Sequence, residues 1–419
     1  MNNKYNTVIE KLKKYNQNEI INLIENRFTE DEAMNLIDQI EELDLEKITN
    51  LYKNAKNIPQ IDQSKIEHIS CKYIGGLTQE QFKDYKTKGE EIIKTGKYAV
   101  VTMAGGQGTR LGHDGPKGTF KIETVKGEKY LFQIIVEALS KANRKYGVTI
   151  PWFIMTSSEN NAQTVDFMEQ NNYFGYPKEH VTFFKQGNLP MIKDNGNLAI
   201  TKNKLVRIAS DGNGSIYQSL KHAGLIEKMK ADGIEWIFVG GVDNILLRVV
   251  DPILVGITIE QGNLISSKSV IKKDAHEKVG VFCKLNGVPK VIEYTELPKN
   301  MCEATNEEGQ LVFGEVNILS HLFNIEALEK LSGANLAYHT AHKKCDYVNE
   351  NGEFIKVTEP NAYKFESYIF DGFSLFDDMS ILRVNREDEF APIKNAEGND
   401  SPETATKLYN DYIKRYGEI

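Results

Sequence analysis

The 419 residues are enough for two or three domains, each with its own hydrophobic core. Hydrophobic residues make up 40% of the chain and charged residues 26%, a globular mixture that excludes wholesale disorder. The formal charge is −8, which argues against a protein that binds nucleic-acid phosphates, so no nucleic-acid partner is expected.

The cysteines and the N-terminal sequence bear on the compartment. Cys71, Cys283, Cys302 and Cys345 lie far apart without a CxxC pair, which is typical of reduced, packed thiols. The polar N-terminal stretch lacks an apolar signal core, and no run of about 18 apolar residues occurs. We therefore expect a cytoplasmic protein that does not bind membranes.

The first 95 residues are predicted to be helical, because apolar residues such as Val8, Leu12 and Tyr15 recur at helical spacing. Lys and Glu fill the remaining positions, as on a solvated surface. The expected organisation is a helical N-terminal region (1–95), a central catalytic domain (96–340) and a C-terminal α+β region (341–419).

Beyond Gly96, short apolar runs alternate with helix-like segments. Strands are predicted at 98–103, 151–156, 181–184 and 236–242, and helices at 130–142, 161–170 and 216–231. This alternation predicts a parallel sheet with crossover helices. Asn-Gly pairs at 195–196, 286–287 and 351–352 predict tight hairpins in an antiparallel extension. A final helix is predicted within 401–419.

The stretch MAGGQGTRLG (103–112), followed by GPKG (115–118), is the most informative part of the sequence. Glycines allow backbone N–H groups to turn toward a polyphosphate, and Arg110 and Lys117 add cationic donors. Packing alone gives no reason for these two cations. We predict a nucleotide-binding loop, whose first residues are Met103, Ala104, Gly105 and Gly106.

Two other known classes of glycine-rich nucleotide-binding loop fit this stretch less well. A Walker loop has Lys directly after its last glycine and then Ser or Thr, whereas here Lys117 precedes Gly118. A dinucleotide fingerprint has a glycine three residues after Gly108, where this chain has Leu111. A nicotinamide-dependent dehydrogenase is therefore not favoured.

The glycine-rich stretch resembles the signature of the UDP-sugar pyrophosphorylases, and most closely the branch that makes UDP-N-acetylglucosamine. Further blocks that carry the resemblance are IPWFIMTS (150–157), FFKQGNLP (183–190), DGNG (211–214), VDNIL (242–246), VIEY (291–294) and REDEFAPIKN (386–395). The implied fold is α/β, a Rossmann-like (GT-A-like) nucleotidyltransferase with a central mixed, mainly parallel sheet. A helical N-terminal region and a smaller C-terminal α+β region accompany it, in a monomer or a homodimer.

Asp243 directly follows an apolar strand, at the end of the strand where open α/β sheets place ligands. A carboxylate there can hold Mg²⁺ against phosphate oxygens, and the resemblance implies this role, with Mn²⁺ as a substitute. Without the resemblance, a turn-forming Asp before Asn244 is an equally good interpretation.

The resemblance implies further roles. Gln186 and Gly212 would contact uracil; Asn213, Glu293, Tyr294, Asn317, Tyr368 and Phe370 would contact the sugar; and Lys394 would reach the phosphate of the sugar phosphate. Considered without the resemblance, 211–214 is only a loop before a helix, and SYIFDGF (367–373) reads equally as an alternating aromatic strand of the core.

One departure from the family's sequence pattern leaves the identity of the sugar undecided. The family's acetylglucosamine enzymes typically read Asn-Ala-Gly-Asn-Ile where this chain has Gly314-Glu-Val-Asn-Ile318. The implied reaction converts UTP and a sugar 1-phosphate, N-acetylglucosamine 1-phosphate in the first place, to a UDP-sugar and pyrophosphate. Glucose 1-phosphate, galactose 1-phosphate or a broad set of sugars are the alternatives, and a non-catalytic nucleotide-sugar-binding regulator is a third.

His339 and His342 have helical i, i+3 spacing, and Cys345 is near them in sequence, so a zinc site is conceivable. A fourth ligand is missing. A surface or core role is the preferred interpretation.

Overall fold

We describe residues 2–55 and 61–417 in a computed structural model of the chain. The helices are α1 (Asn2–Lys14), α2 (Asn18–Asn26), α3 (Glu30–Glu42), α4 (Leu45–Asn54), α5 (Gln79–Lys94), α6 (Leu131–Tyr146), α7 (Asn161–Gln170), α8 (Ile216–His222), α9 (Leu225–Ala231), α10 (Pro252–Glu260), α11 (Lys299–Cys302), α12 (Ile325–Ser332), α13 (Arg386–Glu389) and α14 (Pro402–Tyr416).

The strands are β1 (Ile66–Glu67), β2 (Lys72–Tyr73), β3 (Tyr98–Met103), β4 (Lys121–Thr124), β5 (Gly127–Tyr130), β6 (Trp152–Thr156), β7 (Val181–Lys185), β8 (Asn188–Pro190), β9 (Ile192–Lys193), β10 (Ile208–Ser210), β11 (Trp236–Gly241), β12 (Ile265–Ile271), β13 (Val281–Leu285), β14 (Val288–Ile292), β15 (Glu315–Asn324), β16 (His339–Lys343), β17 (Tyr347–Val348), β18 (Phe354–Ile355), β19 (Ala362–Glu366) and β20 (Ser380–Arg383).

The chain forms two compact units, each assembled from separate stretches of sequence. The helical unit comprises 1–60, 187–215 and 336–369, and the sheet unit comprises 61–186, 216–335 and 370–419. The predicted boundary at 95/96 lies inside the sheet unit, between α5 and β3, and that at 340/341 lies inside β16 of the helical unit. The units do not coincide with three consecutive regions, because the chain enters each unit more than once.

The sheet unit is built on a mixed, mainly parallel sheet. Its strand order is β2-β20-β12-β15-β11-β3-β6-β7. The last four strands of this order are parallel neighbours, and β15 runs antiparallel to both β11 and β12. Every residue of β3, β6 and β11 is buried, as their continuous apolar runs predict. The predicted fold class is confirmed.

In the described part of residues 1–95, the helical prediction is confirmed by α1 to α4 and by α5, with two short strands, β1 and β2, between α4 and α5. In α3, the Thr29 side chain and Glu32 form a capping box that satisfies free N–H groups of the first turn. The apolar stripes of α1 to α4 are buried in the core of the helical unit.

One local prediction was wrong in its extent. The single helix expected over 216–231 is two helices, because the chain turns at Gly224, whose φ is +66°. His339 and His342 lie on strand β16 rather than on a helix, so their i, i+3 spacing does not put them on one face. Among the described residues, no group of three or more His, Cys, Asp or Glu side chains could hold a metal ion.

The antiparallel extension is confirmed. β13 and β14 pair through a two-residue turn in which Asn286 and Gly287 have φ of +54° and +81°. The final helix is also confirmed as α14, capped by Ser401, and residues 418–419 lie outside the described part. All four cysteines are free thiols, with Cys283 and Cys345 buried. No helix in the described ranges is both long and apolar enough to cross a membrane.

Helices α5 and α10 approach each other at two glycines. A Cβ on Gly89 would lie 1.9 Å from the carbonyl oxygen of Pro252, and a Cβ on Gly256 would lie 1.9 Å from that of Tyr85. These distances are far below van der Waals contact, and the neighbouring atoms are backbone. The helix pair therefore requires glycine at both positions.

We predict that Gly89→Ala destabilises the protein by about 1–3 kcal/mol, because the two helices must separate to admit a methyl group. Helix propensity alone would give the opposite sign, since Ala is favoured over Gly by about 1 kcal/mol. Urea unfolding would measure the change. The control is Thr87→Ala, an exposed position of α5, which should leave stability unchanged or slightly raised. Stability of Gly89→Ala at or above wild type would contradict the close approach.

Candidate active site

The predicted nucleotide loop leaves the carboxyl end of β3 and folds back on itself. The Gly108 N–H donates to the Gly115 carbonyl (2.9 Å), and the Lys117 N–H donates to the Gly106 carbonyl (3.0 Å). The two limbs are thus held together while the intervening tip, with the exposed Arg110, projects from them. The turn at the tip ends at Gly112, whose φ of +68° favours glycine.

Gln186 lies against this loop. A Cβ on Gly105 would come within 2.7 Å of Gln186 Oε1, so only glycine leaves room for the amide as it is placed. The Gln186 N–H donates to the Thr156 carbonyl (2.8 Å), which anchors it just beyond β7. The structure therefore brings together two elements that the sequence separates by some eighty residues.

Asn160 is a residue that the sequence analysis did not single out. Its side chain is fully buried, and its Nδ2 donates to the carbonyls of Ala104 (2.9 Å) and Gly106 (3.2 Å). Its Oδ1 accepts from the Ser157 N–H (2.8 Å). Asn160 thus ties the start of the loop to the segment after β6. The only sequence signal was a polar run, SSENN, directly after a buried strand.

Lys117 and Asp243 form an ion pair at the end of β11. Lys117 Nζ lies 3.2 Å from Asp243 Oδ2, and the two side chains are 16% and 25% exposed. Both groups are therefore mostly shielded from water but still reachable. The pair leaves a cation and a carboxylate side by side next to the glycine loop.

Lys394 belongs to the same region. The N–H of the preceding residue, Ile393, donates to the Asp243 carbonyl (2.9 Å). The Lys394 side chain is exposed, with Nζ 5.8 Å from the centroid of the Phe390 ring. Three of the charged residues singled out from the sequence, Lys117, Asp243 and Lys394, are therefore gathered at one edge of the sheet.

The predicted sugar-binding residues of the sheet unit also converge. The Asn317 N–H donates to the Gly280 carbonyl (3.0 Å), and a Cβ on Gly280 would lie 3.0 Å from Glu293 Oε1. Glu293 and Tyr294 follow β14 directly, where the chain enters a turn, and Tyr294 is 45% exposed. Asn317 Oδ1 is occupied by the N–H of Leu319 (3.0 Å).

The departure from the family at Glu315 has a structural explanation. The Glu315 side chain is buried, and its carboxylate accepts from Arg383 Nε (2.8 Å), from Ser269 Oγ (2.6 Å) and from Cys71 Sγ (3.2 Å). Burial and the nearby Glu315 carboxylate raise the pKa of the Cys71 thiol to about 12, so this thiol stays protonated at neutral pH. The carboxylate is thus committed to partners inside the protein.

The remaining predicted residues include a compact group in the helical unit. A Cβ on Gly212 (φ +90°) would lie 2.2 Å from the Ser367 carbonyl oxygen. Asn213 Oδ1 accepts from the Ile369 N–H (2.9 Å), and the Tyr368 ring lies 4.7 Å from that of His339. The 211–214 stretch is thus packed tightly against the segment after β19.

The alternative interpretation of 367–373 as an alternating aromatic strand is wrong. β19 ends at Glu366, and residues 369–375 form a 3₁₀ helix in which Phe370 is buried. Tyr368 and Phe370 accordingly do not alternate along a strand.

The chain is similar in sequence to a known protein family and to named relatives. Residues 44–400 match the sequence profile of the UTP–glucose-1-phosphate uridylyltransferase family. The UDP-N-acetylglucosamine pyrophosphorylase of Saccharomyces cerevisiae is 38% identical over 348 residues, which cover 80% of this chain and 72% of the yeast protein. The UDP-N-acetylglucosamine diphosphorylase 2 of Arabidopsis thaliana is 35% identical, over 96% of this chain and 83% of the plant protein.

A solved structure is similar as well. The uridine diphosphate N-acetylglucosamine pyrophosphorylase of Trypanosoma brucei, in complex with an inhibitor, superposes with a TM-score of 0.83 at 28% identity and covers 98% of this chain and 85% of that one. With a profile that matches most of the chain and relatives above 30% identity, the chain belongs to the UTP–glucose-1-phosphate uridylyltransferase family and is a uridylyltransferase enzyme.

Proposed function

We propose that the protein transfers the uridylyl group of UTP to N-acetylglucosamine 1-phosphate and releases pyrophosphate. The relatives from Saccharomyces cerevisiae and Arabidopsis thaliana, both above 30% identity, are named for N-acetylglucosamine, which supports the acetylated sugar. The observation that carries the proposal is the contact of Lys117 with Asp243 beside the glycine loop, because it gathers groups of both charges at a ligand-binding edge.

In the proposed reaction a phosphate oxygen of the sugar phosphate attacks the α-phosphorus of UTP. The bond from that phosphorus to the bridging oxygen of the β-phosphate breaks, and pyrophosphate leaves from the opposite side. The attacking phosphate is already an anion near neutral pH, so no side chain needs to remove a proton. The protein would therefore accelerate the reaction by positioning the substrates and neutralising their charge.

Different residues would contact the triphosphate, the sugar phosphate and the uracil. The amides of Gly105 and Gly106, with Arg110 and Lys117, would hold the triphosphate. Lys394 would lie toward the sugar phosphate and reduce the repulsion between two anions that must meet. Gln186, against the loop, would offer both a donor and an acceptor to the uracil edge.

Gly212 and Asn213 are further proposed contacts, to the uracil and to ligand hydroxyls, respectively. Asn213 would use its Nδ2, because its Oδ1 accepts from the backbone of Ile369. Glu293, Tyr294 and Asn317 would line the sugar pocket. Tyr368 and Phe370 would lie near the sugar's substituent.

Asp243 is the residue that would hold Mg²⁺. Magnesium in nucleotide sites is commonly bound by one or two carboxylates together with substrate phosphates and water, so a single carboxylate fits an ion that arrives with UTP. The shared contact of Lys117 and Asp243 also means that Lys117 can turn from the carboxylate to the triphosphate once the carboxylate has another cation as partner. When bound, Mg²⁺ would supply positive charge against the phosphate oxygens.

We predict that Asp243→Asn lowers kcat/KM on the order of 10²- to 10³-fold, a loss typical when one electrostatic contact to the transition state is removed. The substitution keeps the shape of the side chain but removes its charge. Pyrophosphate release with UTP, N-acetylglucosamine 1-phosphate and Mg²⁺ would measure it.

The matched control is Asp232→Asn, which removes an exposed carboxylate paired with Lys228 (2.8 Å) at the end of α9. This variant should turn over normally, and both variants should unfold at the wild-type temperature. A folded Asp243→Asn protein with near-normal turnover would contradict the proposed role of Asp243.

We further predict that kcat/KM is at least about ten-fold higher for N-acetylglucosamine 1-phosphate than for glucose 1-phosphate or galactose 1-phosphate, because leaving one buried hydrogen-bonding group without its partner costs about 1–3 kcal/mol. Parallel assays of the three sugar phosphates with UTP and Mg²⁺ would measure this ratio. Equal or better turnover of a plain hexose phosphate would disprove the choice of sugar and leave uridylyl transfer intact.

A further inference from the structure

The segment that carries Lys394 is paired with the segment that carries Asp243. Asn244 and Pro392 form an antiparallel bridge. On one side of the bridge the Ile393 N–H donates to the Asp243 carbonyl (2.9 Å), and on the other the Ile245 N–H donates to the Ala391 carbonyl (3.2 Å). The position of Lys394 relative to Asp243 is therefore set by a short backbone ladder.

The Asn244 side chain spans this ladder. Its Nδ2 donates to the Glu389 carbonyl (2.7 Å), and its Oδ1 accepts from the N–H of Ala391 (2.9 Å) and of Leu246 (3.3 Å). The Asn244 side chain is buried, so bulk water does not compete for these hydrogen bonds. Both ends of the carboxamide are thus used to hold the 389–391 backbone against 244–246.

Glu389 is held a second time through its side chain. Lys268 Nζ lies 2.5 Å from Glu389 Oε2 and 2.5 Å from Asp251 Oδ2, and none of the three side chains is more than 3% exposed. A buried ion group of this kind is costly to rearrange, because moving one member leaves an uncompensated charge. The start of the segment is therefore a fixed point, and Asn244 connects this point to the ladder.

Lys394 lies where the ladder ends. Its backbone N–H turns to the Asp400 carbonyl (2.7 Å), and its side chain is exposed. The side chain has its Nζ 5.8 Å from the centroid of the Phe390 ring, and Phe390 belongs to the same segment, so the location of the Lys394 side chain depends on the backbone that precedes it. A misplacement of about 1 Å can cost on the order of 10²-fold in rate.

We propose that Asn244 is a positioning residue for Lys394: it locks the 389–393 backbone in the register that presents Lys394 beside Asp243. The inference rests on the proposed function, since it takes Lys394 to act on the sugar phosphate. Asn244 itself need not touch either substrate, because its carboxamide is occupied by backbone groups.

The test is a double-mutant cycle of Asn244→Ala and Lys394→Ala, with kcat and both KM values measured from pyrophosphate release. We expect Lys394→Ala to lower kcat/KM for the sugar phosphate by about 10²- to 10³-fold. Asn244→Ala alone should lower it by about 10- to 100-fold, with the KM for UTP little changed. The double variant should be no slower than Lys394→Ala, because a residue that acts only through Lys394 has nothing left to position.

Asn263→Ala is the matched control. Asn263 is a half-buried carboxamide of the same unit, and its Nδ2 donates to Ser380 Oγ (3.0 Å) on β20. The loss of kcat/KM caused by Asn263→Ala should be small, and it should multiply with the loss caused by Lys394→Ala. Unfolding in urea reports the stability of each variant. If Asn244→Ala does not fold, Asn244→Ser takes its place. Its loss of kcat/KM should likewise disappear in the Lys394→Ala background.

Multiplicative losses from the Asn244 and Lys394 substitutions would overturn the inference, since they would show that Asn244 acts by another route. Wild-type kcat in a folded Asn244 variant would overturn it too. Near-normal turnover of Lys394→Ala would remove its premise, whereas the Asp243→Asn assay decides separately whether the proposed uridylyl transfer stands.

Discussion

The parallel register of β3 and β11 is the constraint on which the candidate site depends. Met103 is paired with Gly241, so the two strands end together, and the Val242 N–H donates back to the Met103 carbonyl (3.1 Å). The glycine loop and Asp243 therefore start from adjacent points at one edge of the sheet. The contact between Lys117 and Asp243, residues separated by 126 positions, is a consequence of this register.

Features that depend on local patterns could be predicted from the sequence. The uniform apolar runs at 98–103 and 236–241 indicated buried strands, and the glycines with Arg110 and Lys117 indicated a loop for an anionic ligand. Asp243 could be placed at the site because it follows such a run. Each of these inferences needs only the neighbouring residues, and the parallel sheet then brings the strand ends together.

Features that depend on distant partners could not be predicted. His339 and His342 have helical spacing, yet β19 pairs with the segment and makes β16 a strand, so tertiary contacts override the local pattern. Asn160 and Asn244 look like ordinary turn residues in the sequence, and only the fold shows which backbone groups they bind. The division into two units is equally invisible, because no linker composition marks where the chain passes from one to the other.

The buried pair of Glu315 and Arg383 constrains how the sequence can change. Glu315 is 2% exposed, and its loss would leave the guanidinium half-buried without its carboxylate, whereas the loss of Arg383 would leave a charged carboxylate inside the protein. A protein in which only one of the two residues is replaced is therefore less stable. We therefore expect the two positions to change together in evolution. A relative that carries a small apolar residue at position 315 should also have exchanged the arginine at position 383.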